Sequence, residues 1–262
     1  MAKIYISIVS HANDDDLIFN ADLREISKLN DVIVIVRDNV DSSKLRDYCL
    51  DNGFIYSASA ERLGFGANNN INYEQACEAG MLSSDWFLLL NPDITVSVAM
   101  FRSLIKKIES KSSGIYSANL YSDEKLSMEE RSLRKFPNIF SFFNLFFGKS
   151  LTTPYIKSEL VDGAEVDWAA GSFLIIHADL YRQLGGFDER YFMYFEDVDL
   201  CFRAQKKFNE KVVYMKDIKV VHRGGYQNRN FFSPHFRWYL SSMIRFMLRS
   251  FIGRRNASTI NG

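Results

Sequence analysis

Trp86-Phe87-Leu88-Leu89-Leu90-Asn91-Pro92-Asp93 is an apolar run closed by a proline-containing turn and a carboxylate. A short run of this kind, bounded by a turn signal, reads as a central parallel strand buried on both faces. In open α/β sheets ligands bind just beyond the carboxyl ends of such strands, so Asp93 is well placed to hold a metal. Further along, Tyr194-Phe195-Glu196-Asp197-Val198-Asp199-Leu200-Cys201-Phe202-Arg203 supplies a second acidic cluster, and Val220-Val221-His222-Arg223-Gly224-Gly225 a histidine at another strand end. Together they point to an active site.

Outward from this stretch, β and α signals alternate. Residues 4–10, 32–36, 54–56 and 86–90 are strand-like, with helix-length segments around 14–29, 42–51, 67–81 and 97–110. That rhythm predicts an α/β fold with a mostly parallel central sheet and crossover helices on its faces. After Asn119 it breaks into a polar and then an aromatic stretch. It resumes with a strand-like 166–176, a helix from Ala178, the acidic helix from Glu196 and two strand-like pieces, 211–214 and 218–222. Residues 1–222 read as one catalytic domain and 223–262 as a basic helical extension.

The chain has 262 residues, of which 47% are hydrophobic and 4 are proline, enough to bury a large single core. Its 32 basic and 32 acidic side chains give a formal net charge of zero, which argues against nucleic acid as a partner. The distribution is less even. No Asp or Glu follows Asp217, whereas Lys219, Arg223, Arg229, Arg237, Arg245, Arg249, Arg254 and Arg255 do. The 3 cysteines, Cys49, Cys77 and Cys201, are scattered and odd in number, which suits a reducing compartment. No secretion signal and no run approaching the ~20 apolar residues of a membrane span is present, so the expected location is the cytosol.

The motifs also have an order. Ser7-Ile8-Val9-Ser10-His11, Val36-Arg37-Asp38-Asn39, Leu63-Gly64-Phe65-Gly66-Ala67-Asn68-Asn69, Leu90-Asn91-Pro92-Asp93, Ala170-Gly171-Ser172-Phe173, Gly185-Gly186-Phe187-Asp188-Glu189, the acidic cluster at 196–203 and His222-Arg223-Gly224-Gly225 follow one another along nearly the whole chain. In this the sequence strongly resembles the family 2 glycosyltransferases of GT-A fold. Within them it looks most like bacterial rhamnosyltransferases of O-antigen assembly acting on N-acetylglucosaminyl-diphospho-polyprenol. Arg134-Lys135-Phe136-Pro137 and Phe231-Phe232-Ser233-Pro234-His235-Phe236-Arg237-Trp238 carry the narrower resemblance.

A nucleoside diphosphate leaving group gains negative charge as the glycosidic bond breaks, and a divalent cation across its phosphates stabilises it. The resembled family uses an Asp-X-Asp triplet, but here Asn91 takes the first position, leaving Asp93 as the main carboxylate ligand of Mg²⁺ or Mn²⁺. The resemblance makes His222 the second ligand, and a nitrogen donor tilts the choice toward Mn²⁺. Taken alone, Asn91-Pro92-Asp93 is equally well a β-turn, and a lone histidine is more often a packed group. Glu196, Asp197 and Asp199 suit the first turn of a helix for electrostatic reasons alone. The aromatic approach 191–195, however, offers a way to desolvate a carboxylate and raise its pKa. By resemblance Asp197 is the general base and Glu196 orients the base or the acceptor, while Asp199 and Arg203 form a structural i, i+4 pair.

The resemblance puts the donor nucleotide beside Ser10, His11, Asp38, Arg62, Gly64, Asn68 and Asn91, with Asp38 accepting from the N3–H of a pyrimidine. A plain turn accounts for Asp38-Asn39 as well. Leu63 to Asn70 departs from the dinucleotide fingerprint, because Asn69 occupies the third glycine position and no adequate strand leads into it, so a dinucleotide cofactor is disfavoured. A glycine-permitted approach of the nucleotide before the helix remains open. Trp168, Gly171 and Ser172 fall on the acceptor side. In the tail, Arg237, Ser241, Arg245 and Arg249 recur at four-residue spacing with Trp238, Met243, Phe246, Met247 and Phe251 around them. The Phe-rich 136–147 is also rich in large apolar side chains. Both suggest contact with an anionic membrane surface, with burial against the core or in a homo-oligomer as the alternative. The expectation is therefore an inverting, metal-dependent transfer of L-rhamnose from dTDP-β-L-rhamnose to a polyprenyl-diphosphate-linked acceptor at the cytoplasmic face of the inner membrane. The alternatives are another sugar nucleotide, a sugar-phosphate nucleotidyltransferase or a non-catalytic sugar-nucleotide-binding protein.

Overall fold

The computed structural model describes residues 2–59, 61–137, 152–224 and 234–258. The Phe-rich stretch beyond Pro137 and residues 225–233 of the tail lie outside them. The first half is the expected alternation: β1 (Ile4–Ser10), α1 (Asp14–Ile18), α2 (Ala21–Ser27), β2 (Val32–Asp38), α3 (Ser43–Asp51), β3 (Ile55–Ala58), α4 (Phe65–Glu78), β4 (Trp86–Leu90), β5 (Ile94–Thr95) and α5 (Val98–Ile108). The second half adds β6 (Ile115–Tyr121), β7 (Leu133–Arg134), β8 (Glu165–Val166), β9 (Trp168–Ala169), β10 (Phe173–His177), α6 (Ala178–Leu184), α7 (Glu196–Phe208), β11 (Val212–His222) and α8 (Pro234–Ser258).

One sheet runs in the order β3-β2-β1-β4-β10-β6-β11-β5 with β8 against β11, and β7 pairs separately with β9. Strands β1 to β4 are mutually parallel, and β10 is inserted antiparallel between β4 and β6. β4 is therefore central and buried at every residue, as the apolar run requires. Alternation along the strands divides the core between the sheet's faces. Ile4, Ile6, Ile8, Trp86, Leu88 and Leu90 join one cluster with residues of α1, α2, α3 and α5. Tyr5, Phe87 and Leu89 join the other with Tyr181 of α6, Leu200 of α7 and Phe246 of α8.

Four local expectations change. The helix expected around 14–29 is two, because Asn20 interrupts it: its side chain caps α2 by accepting from Leu23 N–H at 3.0 Å and donates to Ile94 O at 3.1 Å. The strand-like 166–176 is three short strands that serve different partners. The two pieces at 211–214 and 218–222 are one strand, β11, which keeps pairing with β6 across a register shift between Met215 and Lys219. β6 itself was not expected. It is buried throughout, so its polar Ser117 and Asn119 disguised a central strand.

Candidate active site

The turn after β4 is tied down on both sides: Asn91 N–H donates to Ser172 O at 2.9 Å, and Ile94 N–H to Asn91 O at 3.1 Å. Antiparallel pairing of β11 with β5 sets His222 opposite Ile94, hence beside Asp93. His222 Nε2 lies 3.3 Å from Asp93 Oδ1, while Nδ1 lies 3.0 Å from Oε1 of Glu130. Glu130 is held there by its own N–H, which donates to Leu120 O in β6 at 2.9 Å. Burial pulls the His222 pKa down, but the close contacts and charges of Asp93 and Glu130 outweigh it and raise it to about 9.

Asp93 Oδ1 is buried with no aligned hydrogen bond, so its contact with Nε2 is one of charge. A hard oxygen and an imidazole nitrogen facing one another, with the other ring nitrogen engaged by a carboxylate, fit the protein's share of a divalent-cation site. Among the described residues no group of three His, Cys, Asp or Glu side chains has metal-binding geometry. Two protein ligands suit an ion that takes its other ligands from a diphosphate and water.

Across the cleft stands the N-terminus of α7. The two residues before it, Tyr194 and Phe195, have φ of 70° and 67°, a left-handed conformation that bulky side chains avoid at roughly 1–3 kcal/mol each. The α8 helix braces this turn. Ser242 Oγ donates to Met193 O at 3.0 Å, and the Tyr239 ring lies 5.7 Å from Tyr194 and 5.5 Å from Phe195. The strained turn aims Glu196 and Asp197 into the cleft. Gly171 N–H donates to Asp197 Oδ2 at 3.1 Å, and Val198 N–H to Oδ1 at 2.8 Å. Glu196 is buried and its Oε2 has no partner. Burial raises both carboxyl pKa values, that of Glu196 further through the charge on Asp197. Asp199 does pair with Arg203, at 2.7 Å, and belongs to a buried network instead of the cleft.

A cavity of about 660 Å³ joins the two acidic centres. Asn91, Asp93 and His222 line one part, Glu196 and Asp197 another, with Trp168, Gly171 and Ser172 between. Its lining also holds residues the sequence did not single out, among them Glu130, Arg131, Phe65 and Tyr239. Glu130 sits in a polar stretch with no pattern to mark it.

The remaining donor candidates sit at the ends of β1 and β2 and the start of α4, outside this lining. Asp38 is fully buried and carries a turn, accepting from Val40 N–H at 2.9 Å, Ser42 N–H at 2.7 Å and Tyr56 Oη–H at 3.1 Å. Ser10 is likewise buried, its Oγ accepting from Asn13 N–H at 3.3 Å. His11 and Arg62 are exposed, and burial and then the Arg62 charge lower the His11 pKa. Asn68 is enclosed, donating to Asn39 Oδ1 at 3.1 Å and Gly64 O at 3.0 Å. Gly64 does permit a close approach, though by the chain itself: a Cβ there would lie 2.2 Å from the carbonyl oxygen of Phe192. The asparagine run is structural glue. Asn69 and Asn72 bond Ser7 Oγ of β1 at 2.6 and 2.8 Å, and Asn70 donates to Phe187 O at 3.0 Å.

With this geometry, comparison with known proteins is decisive. The rhamnosyltransferase WbbL of Escherichia coli K12 is 34% identical over 98% of this chain and 98% of its own length. The chain belongs to the family 2 glycosyltransferases. An N-acetylglucosaminyl-diphospho-decaprenol L-rhamnosyltransferase of Mycobacterium tuberculosis is 30% identical over 61% of this chain and 55% of its own. A hexosyltransferase of low-salt glycan biosynthesis, Agl10 of Haloferax volcanii, is 25% identical over 97% of this chain. No family model matches. Among solved structures, GalNAc-T7 with UDP, GalNAc and Mn²⁺ aligns at TM-score 0.62 and 13% identity over 92% of this chain, which spans 47% of that protein. The Pyrobaculum calidifontis mannosyltransferase PcManGT with GDP-Man and Mn²⁺ aligns at TM-score 0.55 and 11% identity over 86% of this chain and 58% of its own. The fold of this glycosyltransferase is thus the expected GT-A fold.

Proposed function

We propose that this glycosyltransferase transfers L-rhamnose, with inversion, from dTDP-β-L-rhamnose to N-acetylglucosamine on a polyprenyl diphosphate, in the synthesis of O-antigen or another surface polysaccharide. The observation that carries the reading is the single cleft with Asp93 and His222 at one part and Glu196 and Asp197 at another, which separates leaving-group stabilisation from acceptor activation. The sugar and acceptor come from the names of the two rhamnosyltransferase relatives. Asp93 and His222 would hold a divalent cation, Mg²⁺ or Mn²⁺, which when bound neutralises charge developing on the diphosphate.

Asp197 removes the proton from the acceptor hydroxyl, and that oxygen bonds to the anomeric carbon as the carbon's bond to dTDP breaks on the opposite face. The proton ends on Asp197, dTDP departs, and a β-linked donor gives an α-linked product. Burial favours this exchange, since a carboxylate with a raised pKa is a stronger base. The Gly171 N–H fixes Oδ2 and thereby the direction in which Asp197 receives the proton. Glu196, unpartnered and adjacent, orients the acceptor. His11 and Arg62, the exposed donor candidates, meet the nucleotide, and Asp38 shapes the turn beneath it.

A lipid-linked acceptor makes the enzyme a peripheral protein of the inner membrane's cytoplasmic face, and no helix among the described residues is long and apolar enough to cross a membrane. Incubation with a panel of nucleotide sugars and N-acetylglucosaminyl-diphospho-lipid, scored for released nucleotide, tests the reading. Release of dTDP from dTDP-rhamnose alone is expected; turnover confined to a UDP- or GDP-sugar would overturn the donor assignment.

A further inference from the structure

The outward face of α8 does not look like the surface of a helix meant for water. Leu240, Ile244 and Leu248 stand four residues apart and are 37%, 45% and 61% exposed. Single exposed leucines are ordinary, but three aligned on one helix face form a continuous apolar strip. The opposite face accounts for the helix's attachment to the domain, with Met243 and Phe246 fully buried and Met247 nearly so. The strip is thus surplus to what holds α8 in place.

The strip forms part of the wall of a groove between α7 and α8 of about 1100 Å³, whose lining also holds Arg190, Arg203, Lys206, Lys207, Arg237, Arg245 and Arg249 and no carboxylate residue. Of these cations, Arg190 pairs with Asp188 at 2.5 Å and Arg203 with Asp199 at 2.7 Å. Arg249 bridges Asp188 and Asp199 at 2.8 and 2.9 Å and so belongs to the fold. Arg245 lies over the Tyr191 ring at 5.9 Å. Lys206, Lys207 and Arg237 are exposed, and among the described residues none of them pairs with a carboxylate. The charges that the spacing of the tail singled out are therefore only partly available; two lysines from α7 take the place of Arg249.

We infer that Leu240, Ile244 and Leu248 of α8, flanked by Lys206, Lys207 and Arg237, form the surface by which this protein docks on an anionic lipid bilayer. Cations around an apolar strip match a headgroup layer over acyl chains. A second copy of this chain does not match, because a two-fold contact through this face would set like charges against one another. The placement also serves the chemistry. Tyr239, one residue from the strip, lines the catalytic cleft, so a bilayer against α8 reaches the cleft on the side of Tyr194 and Phe195. The purpose given to the surface rests on the lipid-linked acceptor reading; the binding itself does not.

The test is co-sedimentation of the full chain with phosphatidylcholine vesicles with and without phosphatidylglycerol. Native protein should bind only the anionic vesicles and be released by salt. Lys206→Gln/Lys207→Gln/Arg237→Gln should weaken binding on the order of 100-fold, at roughly a fivefold loss per cation. Leu240→Ser/Ile244→Ser/Leu248→Ser should bind weakly even at low salt. Each altered side chain is exposed, and an unchanged urea midpoint verifies folding. Vesicle binding by both variants equal to native, or native binding indifferent to phosphatidylglycerol, overturns the inference. So does a native dimer in sedimentation equilibrium that the serine variant dissolves. Vesicle binding involves no donor, so a failed rhamnose assay with intact binding sinks the proposed reaction alone. Failure of the native protein to bind anionic vesicles, with intact transfer to a water-soluble acceptor, sinks the docking surface alone.

Discussion

Replacing Glu130 probes whether the proposed metal-binding part of the cleft depends on the carboxylate behind His222. Glu130 is 9% exposed and accepts a hydrogen bond from His222 Nδ1 at 3.0 Å, leaving Nε2 toward Asp93. Glu130→Met preserves bulk but removes the acceptor, freeing the ring to turn or to carry its proton on the wrong nitrogen. Loss of such a carboxylate behind a ligating histidine typically weakens metal binding 10–100-fold, about 1.4–2.7 kcal/mol. The metal-free protein gives a second magnitude. Raising the His222 pKa from 6.5 to about 9 is worth about 3 kcal/mol at ~1.36 kcal/mol per unit, shared between Asp93 and Glu130. Because the folded value is the higher one, this stability is fully present below pH 6.5 and is lost as pH rises through about 9. Glu130→Met should therefore lower the imidazole titration midpoint followed by NMR and flatten the stability change across that window. Mn²⁺ titration with dTDP, read by the paramagnetic resonance of free Mn²⁺, should show the weakened affinity. Glu130→Gln, which keeps a carbonyl acceptor without the charge, should retain most of it. An unaltered Mn²⁺ affinity together with an unmoved His222 titration in Glu130→Met would refute the positioning role.

Asp197→Asn should cut transfer by about 10²–10⁴-fold while leaving dTDP and Mn²⁺ binding intact by calorimetry, whereas Asp93→Ala should lose metal-dependent donor binding; near-normal transfer by Asp197→Asn removes it from the base role. Arg249→Met leaves the buried Asp199 with Arg203 and the Tyr191 hydroxyl, and because Arg249 is itself 35% exposed the loss is discounted to about 2 kcal/mol, read as a urea midpoint shift with little change in vesicle affinity. Gly64→Ala sets a Cβ against the Phe192 carbonyl and should destabilise the protein by about 1–3 kcal/mol, displacing the turn that carries Glu196 and Asp197, so activity should fall with stability.

The strand Trp86–Leu90, the carboxylate after it and the helix rhythm of the first half are local properties, and the sequence alone determined them. An apolar run buried on both sheet faces leaves few other readings, and the order of the motifs identified the family. Asp93 was legible as a carboxylate at a strand end, whereas Asp197 and His222 were singled out by the family resemblance, and the fold brings all three to one cleft. What the sequence could not decide depends on contacts between distant segments. Glu130 meets His222, 92 positions further along the chain, because β11 pairs with both β6 and β5. β6 escaped notice because its polar side chains are satisfied inside the core, Ser117 by Phe173 O and Asn119 by Tyr121 and Lys157. Asp38, Gly64 and Asn68 fit a nucleotide motif in sequence, and only the fold shows the structural contacts they also make, Asp38 with Val40, Ser42 and Tyr56 and Asn68 with Asn39 and Gly64. Arg249 has the spacing of a surface charge, and only the packing of α8 on α7 makes it a partner of the buried Asp199. Periodicity records which face of an element is apolar; which partner covers that face, and which polar group it must satisfy, is fixed by tertiary packing.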